Sequence, residues 1–247
     1  AISAVALTSF LVRRRIGVIR KEAGLKQKVL ETEMAALRAQ MNPHFIFNCL
    51  SAIDNLIQNN EKDKATLYLT RFAKLIRDVL DSSRNEVVLF GKDLETLEIF
   101  IELEKLRSND KFRFELQATP ELLEGDYKIP PMLIQPFIEN AIHHGLRNKE
   151  GEDKCLKVDA CIENNYITYT ITDNGVGRKR AWELKQINRP DHVSYGIKIS
   201  NDRIRIFNRH DECKNIQQTN EDLIITDLFE ENQPAGTMVK VKLKINS

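Results

Sequence analysis

His44 follows a proline in the run Met41-Asn42-Pro43-His44-Phe45-Ile46-Phe47-Asn48, and an imidazole placed there has the chemistry of a phosphate acceptor. On one ideal helix, the apolar residues Leu30, Met34, Leu37 and Met41 fall on the same side as His44. Ile46, Leu50, Ile53 and Ile57 fall on roughly the opposite side. The two stripes cannot share a straight seam. The break is expected at Pro43, which lacks a backbone donor and crowds the preceding turn, giving a kink or a fresh helix start with Asn42 as cap. His44 then leaves the downstream seam and is able to meet solvent or a second domain. An acceptor needs a donor, which must come from elsewhere in the chain.

Four further stretches have residue types suited to a nucleotide. In Pro130-Pro131-Met132-Leu133-Ile134-Gln135-Pro136-Phe137-Ile138-Glu139-Asn140-Ala141-Ile142-His143-His144-Gly145, helical spacing puts Asn140 and His143 on one face with Glu139 beside it. Such short polar groups suit a magnesium triphosphate, because the metal prefers oxygen ligands and keeps several waters. In Thr172-Asp173-Asn174-Gly175-Val176-Gly177, the glycines permit positive φ and close approach to backbone. An acid at a strand end accepts a hydrogen bond from an exocyclic amine such as that of adenine. Tyr195-Gly196-Ile197 opens a helix, where free backbone donors favour phosphate, and Ala235-Gly236-Thr237 introduces a last strand. As isolated features these also read as a capped amphipathic helix and ordinary turns.

The elements that position them follow from periodicity. A helix from about Lys21 to Asn60 carries the stripes named above. A second, about Lys64 to Asp81, has Tyr68, Phe72, Leu75, Ile76 and Val79 on one face. Two such helices bury too little alone, so a four-helix bundle in a homodimer is expected. Asp81 to Asn85 reads as a linker and Lys92 to Arg107 as a third helix. Period-2 alternation predicts strands at Phe112–Leu116, Leu156–Ile162, Ile167–Ile171 and Val239–Ile245, with another at Leu223–Phe229. A hairpin is expected at Glu163-Asn164-Asn165, and further helices at Pro131–Leu146, Lys179–Gln186 and Gly196–Arg209. The fold class is α+β: a helical region, then a mixed or antiparallel sheet covered on one face by helices.

Composition narrows the partners. The 247 residues carry a formal net charge of +1, so nothing points to direct nucleic-acid binding. Cys49, Cys155, Cys161 and Cys213 are widely spaced, which argues for a reducing compartment and against a zinc site. The apolar run Ala1 to Val12 is shorter than the roughly 20 residues that span a bilayer. Its positive charges, Arg13, Arg14 and Arg15, follow it rather than precede it as in a signal peptide. The expectation is a fragment beginning in the last turns of a transmembrane helix, with a basic juxtamembrane segment to about residue 20.

In order, N-P-H-F-I-F-N, I-P-P-M-L-I-Q-P-F-I-E-N-A-I-H-H-G, D-N-G-V-G, G-I-K-I-S-N-D-R-I and G-T resemble the LytS/YehU type of sensor histidine kinase, from about Leu37 to the C-terminus. The resemblance implies a dimerisation and phosphoacceptor region at 21–85 and a Bergerat-type, or GHKL, ATP-binding domain at 86–247. It implies ATP and Mg2+ as cofactors, His44 as phosphoacceptor and Asn140 as the magnesium ligand. Asp173 would read adenine. Glu139, His143, Gly175, Gly177, Gly196 and Thr237 would complete the nucleotide site, and residues 178–194, from Arg178, Lys179 and Arg180 to Ser194, a mobile lid. The phosphate would pass to an aspartate of a response regulator of the LytTR kind. The whole protein would sit in a bacterial cell membrane with this portion cytoplasmic. Departures from the family pattern are His143 where a lysine or arginine is common, Tyr195 where a second glycine is common, and Phe45 in place of an acid after His44. They leave two alternatives: a pseudokinase serving as a dimeric scaffold, and an ATPase in which Glu139 activates water.

Overall fold

The computed structural model describes Arg15 and residues 43–108, 111–188, 195–209, 222–231 and 233–245. Residues 1–47 and 48–247 form two compact units. The expected membrane remnant apart from Arg15, the stripe Leu30 to Met41, the cap Asn42 and the end of the lid at 189–194 lie outside the described residues. Among those described, no helix is long and apolar enough to cross a membrane.

Helix α1 (Pro43–Gln58) begins at the proline, whose missing N–H costs nothing in a first turn. It buries Phe45, Cys49 and Ile53; of the expected stripe Ile53 is buried, while Ile46 is half-buried and Leu50 and Ile57 are exposed. The reason is local: Tyr68 needs a small neighbour, and its hydroxyl lies 3.4 Å from the Cys49 sulfur. Phe47 and Ile57 are left 70% and 58% exposed. After a turn at Asn60 (φ 59°), α2 (Lys62–Ser83) buries Ala65, Tyr68, Leu75 and Val79. It runs into the expected linker because Ser82 is buried and Asn85 Nδ2 donates to the Asp81 carbonyl at 3.1 Å.

Strand β1 (Val88–Leu89) leads into α3 (Phe90–Arg107), which is buried on several sides. One flank meets α2, where Arg71 pairs with Glu102 at 3.3 Å. On another, the rings of Phe90 and Tyr169 stand 5.8 Å apart. Next come β2 (Arg113–Ala118), α4 (Pro120–Glu124) and β3 (Lys128–Ile129), which pairs with β1. β1, α4 and β3 are too short to leave a period in the sequence. The main sheet contains β2, β4 (Cys155–Glu163), β5 (Tyr166–Asp173), β6 (Leu223–Glu230) and β7 (Gln233–Lys244) in the order β2-β4-β5-β7-β6. Only β2 and β4 run parallel. Asn164 and Asn165, both at positive φ (51° and 65°), make the expected hairpin turn between β4 and β5. β7 starts before Ala235-Gly236-Thr237, and a register shift at Leu228/Phe229 of β6 absorbs the irregularity.

The helix expected from Pro131 begins only at Gln135. Pro131 to Ile134 form a turn with Met132 at φ 52°, and α5 spans Gln135–Asn140. A π-helical turn, Ala141–Gly145, and a short 3-10 turn, Leu146–Asn148, continue it. Two groups hold the strained turn in place. Asp93 Oδ1 accepts the Met132 N–H at 2.8 Å, and Arg203, on the helix Tyr195–Arg209, donates to the Pro131 carbonyl at 2.8 Å. Burial pushes Asp93 up to about 6, against the pull of the Met132 N–H and Arg203. Asp93→Ala should lower stability by about 1–3 kcal/mol, because it orphans a buried donor, whereas Asp93→Asn keeps an acceptor and should cost less. Urea unfolding of the two variants checks this ranking.

Candidate functional site

The last residue of β5 places an acid where the chain has least room. Asp173 is 4% exposed and its Oδ1 accepts the Gly175 N–H at 2.8 Å. The backbone of Thr237, its pairing partner on β7, supplies a second hydrogen bond. Burial pushes the carboxyl up to about 6, with these donors and Lys149 pulling the other way. Glycines make the close packing possible. A Cβ on Gly145 would sit 2.5 Å from Asp173 Oδ1, one on Gly175 would sit 2.3 Å from the Gly145 carbonyl carbon, and one on Gly236 would sit 1.9 Å from the Asp173 carbonyl oxygen. The turn after β5 therefore lies directly on the π-helical turn.

Beside Asp173 is a cavity of about 270 Å³ whose lining includes Phe137, Asn140, His144, Ile171, Thr237 and Val239. Its walls are mostly apolar, with a few polar groups converging on one end, as in small-molecule sites. Gly177, at φ 74°, opens α6 (Gly177–Asn188), which supplies another wall through Arg178, Ala181 and Trp182. Arg178, expected at the start of a lid whose helix is predicted from Lys179, lies in the first turn of this helix and grips Asp227 of β6 with two hydrogen bonds of 2.7 Å. That bond holds Asp227 below the usual carboxylate range.

The cavity thus gathers Asn140, Asp173, Gly177 and Thr237, with Gly175 packed beneath. It does not gather His143. That ring faces the other side of the helical turn, with Nε2 3.3 Å from Glu104 Oε2 and Arg107 Nη2 3.1 Å away. Burial pushes Glu104 up, but hydrogen bonds and charge from His143 and Arg107 outweigh it and hold the carboxyl low. His143 lines a second cavity, of about 340 Å³, with Arg107, Lys111, Arg147 and Lys154. Glu139, half-buried on α5, is not in the lining of the Asp173 cavity either. Gly196 is the second residue of α7 (Tyr195–Arg209), and His44 the second residue of α1.

Sequence reasoning quoted His144, Gly145 and Gly236 within motifs without giving them a place at the site, and it did not single out Trp182. The signal for His144 was present, since residues three and four places beyond Asn140 both neighbour it on a helix. Only the position of the sheet decides in favour of the fourth.

Residues 32–112 match the histidine kinase family model. The sensor protein LytS of Staphylococcus haemolyticus (strain JCSC1435) is 32% identical over 157 residues, covering 63% of this chain and 26% of that protein. LytS of Bacillus subtilis (strain 168) is 32% identical over 159 residues, again 63% of this chain and 26% of the relative. The chain therefore spans about a quarter of the length of these relatives. The catalytic domain of histidine kinase ThkA superposes with a TM-score of 0.40 at 15% identity, over 64% of this chain and 95% of that one.

The raised pKa of Asp173 has a consequence for stability. A carboxyl whose folded value lies above its unfolded one adds stability below about pH 4, which is lost as the pH rises through about 6. Asp173→Asn removes that loss. The stability of the variant relative to the parent should therefore rise between pH 4 and 7.5, by about 2–3 kcal/mol. Chemical unfolding at the two pH values measures it; a difference independent of pH would contradict the burial of an ionisable Asp173.

Proposed function

We propose that this chain, a relative of the LytS-type sensor histidine kinases, binds Mg-ATP in the Asp173 cavity and transfers the γ-phosphoryl group to a nitrogen of His44. The observation that carries this reading is the buried Asp173 carboxylate, fixed by two backbone donors and lining a largely apolar cavity that Asn140 also lines. Held that way, it accepts from the exocyclic amine of adenine. Gly175 and Gly177 let backbone approach the nucleotide, Thr237 borders it, and Gly196 sits in the first turn of a helix whose free donors favour phosphate. Asn140 fits magnesium, since it offers one neutral oxygen to an ion that takes few protein ligands when phosphate oxygens are present. Bound there, the ion would offset phosphate charge. His143, paired with Glu104, is assigned no contact with phosphate.

In the transfer, a His44 nitrogen forms a bond to phosphorus as the bond from phosphorus to the ADP oxygen breaks. ADP leaves, and the proton on the other ring nitrogen is lost to solvent. Positioning and charge neutralisation carry such a step. The phosphate then passes to an aspartate on a response regulator of the LytTR kind. In this reading residues 21–85 dimerise and present His44, while residues 86–247 bind the nucleotide. The exposed Phe47, Leu50 and Ile57 of α1 support a homodimer, because among the described residues they form an apolar face left in water. The full protein would be anchored in a bacterial membrane through the segment at residues 1–20, with this portion on the cytoplasmic side.

The test uses labelled ATP. His44→Gln should bind ATP as the parent does and gain no acid-labile phosphate, since only the nucleophile is removed. Asp173→Asn should lose roughly 1–3 kcal/mol of ATP binding. Mixing the two under subunit exchange should restore label to the Asp173→Asn chain if transfer runs between protomers. Acid-labile label on the His44→Gln chain would refute the acceptor.

A further inference from the structure

Among the described residues, Trp182 is an exposed aromatic side chain that lines the cavity of a buried acid. It is 63% exposed, and it is the only tryptophan in the chain. Its placement is set by an anchor one helical turn before it. Arg178 is clamped to Asp227, and Trp182 follows four residues later on the same face of α6, with Ala181 between them against the cavity. The same cavity is lined by Asp173 and the apolar side chains of Ile171 and Val239. A large indole left in water at the mouth of an apolar cleft is surface held ready for a flat apolar ligand. The edge of that ligand would meet the Asp173 carboxylate.

We propose that Trp182 is a base-stacking wall: it covers one face of the heteroaromatic base while Asp173 takes the hydrogen bond from its edge. The inference rests on the nucleotide reading above and adds a residue to it. It makes α6, rather than the glycine turns alone, a determinant of affinity for the base. Stacking of a base on an aromatic side chain is sequence-tolerant and strong enough to be read by substitution.

The chain reports on the contact directly, because all of its tryptophan emission comes from this position. ATP should change the emission of the intact chain along the same saturation curve that calorimetry gives. Inorganic triphosphate, which has no base, should leave the emission unchanged. Trp182→Ala should weaken ATP binding by roughly fivefold or more, and Trp182→Phe, which keeps a ring, by less than about threefold. Inorganic triphosphate binding, where measurable, should not distinguish the variants. Circular dichroism of both variants verifies that the fold is kept. If ATP binds to the parent and to Trp182→Ala equally, or saturates without altering the emission, Trp182 is no part of the site and this inference fails while the nucleotide reading stands. If the parent gives no heat with ATP at all, the nucleotide reading itself fails.

Discussion

A carboxylate taken out of water at the end of a strand constrains everything around it. Asp173 can be buried only if backbone donors reach it, and they reach it because Gly175 turns back at once and Thr237 pairs across from β7. That turn then lies against Gly145, where there is no room for a side chain. The π-helical turn at Ala141–Gly145 brings Gly145 down onto Asp173 and directs Asn140 and His144 into the cavity. Such turns, which interrupt an α-helix and recur at functional sites, cost regular hydrogen bonding. Here the distortion is bounded upstream by a second strained feature, the positive φ of Met132, which Asp93 and Arg203 clamp from two different helices. The shape of the cavity is thus supported by buried polar groups outside it.

The sequence contained the elements more clearly than their edges. The strands alternate because one face of the sheet is buried against helices, so Leu156, Val158 and Ala160, and likewise Val239, Val241 and Leu243, announce themselves. The hairpin at Asn164-Asn165 was legible for the same kind of reason, since asparagine tolerates the positive φ that the turn requires. What could not be read was set by distant partners. The late start of α5 depends on Asp93, nearly forty residues earlier. The buried seam of α1 depends on Tyr68 meeting Cys49, and so it is offset from the stripe that spacing alone suggests. Spacing predicts the helix after Gly177 only from Lys179, whereas Arg178, paired with Asp227 of β6, already belongs to it. At the site, Asp173, Asn140 and the glycines came from motif, whereas the choice between His143 and His144 needed the location of the sheet.

Two features run against stability. An ionisable group held near pH 6 by burial is costly at neutral pH, and an amide would relieve that cost. Phe47 and Ile57 on α1 and Trp182 on α6 keep apolar area in water. A chain selected for its fold alone would retain neither. In the proposed kinase, the acid selects the base, the indole covers it, and the α1 face belongs to a second copy of the chain.

The most direct measurement is a crystal structure of the chain with magnesium and a non-hydrolysable ATP analogue. Nucleotide binding at Asp173 predicts the exocyclic amine of adenine within hydrogen-bonding distance of that carboxylate, the base beside Trp182, and the metal bound through the Asn140 oxygen. Nucleotide seated instead in the cation-lined cavity at Glu104, Arg107 and His143, with the Asp173 cavity holding only water, would contradict it.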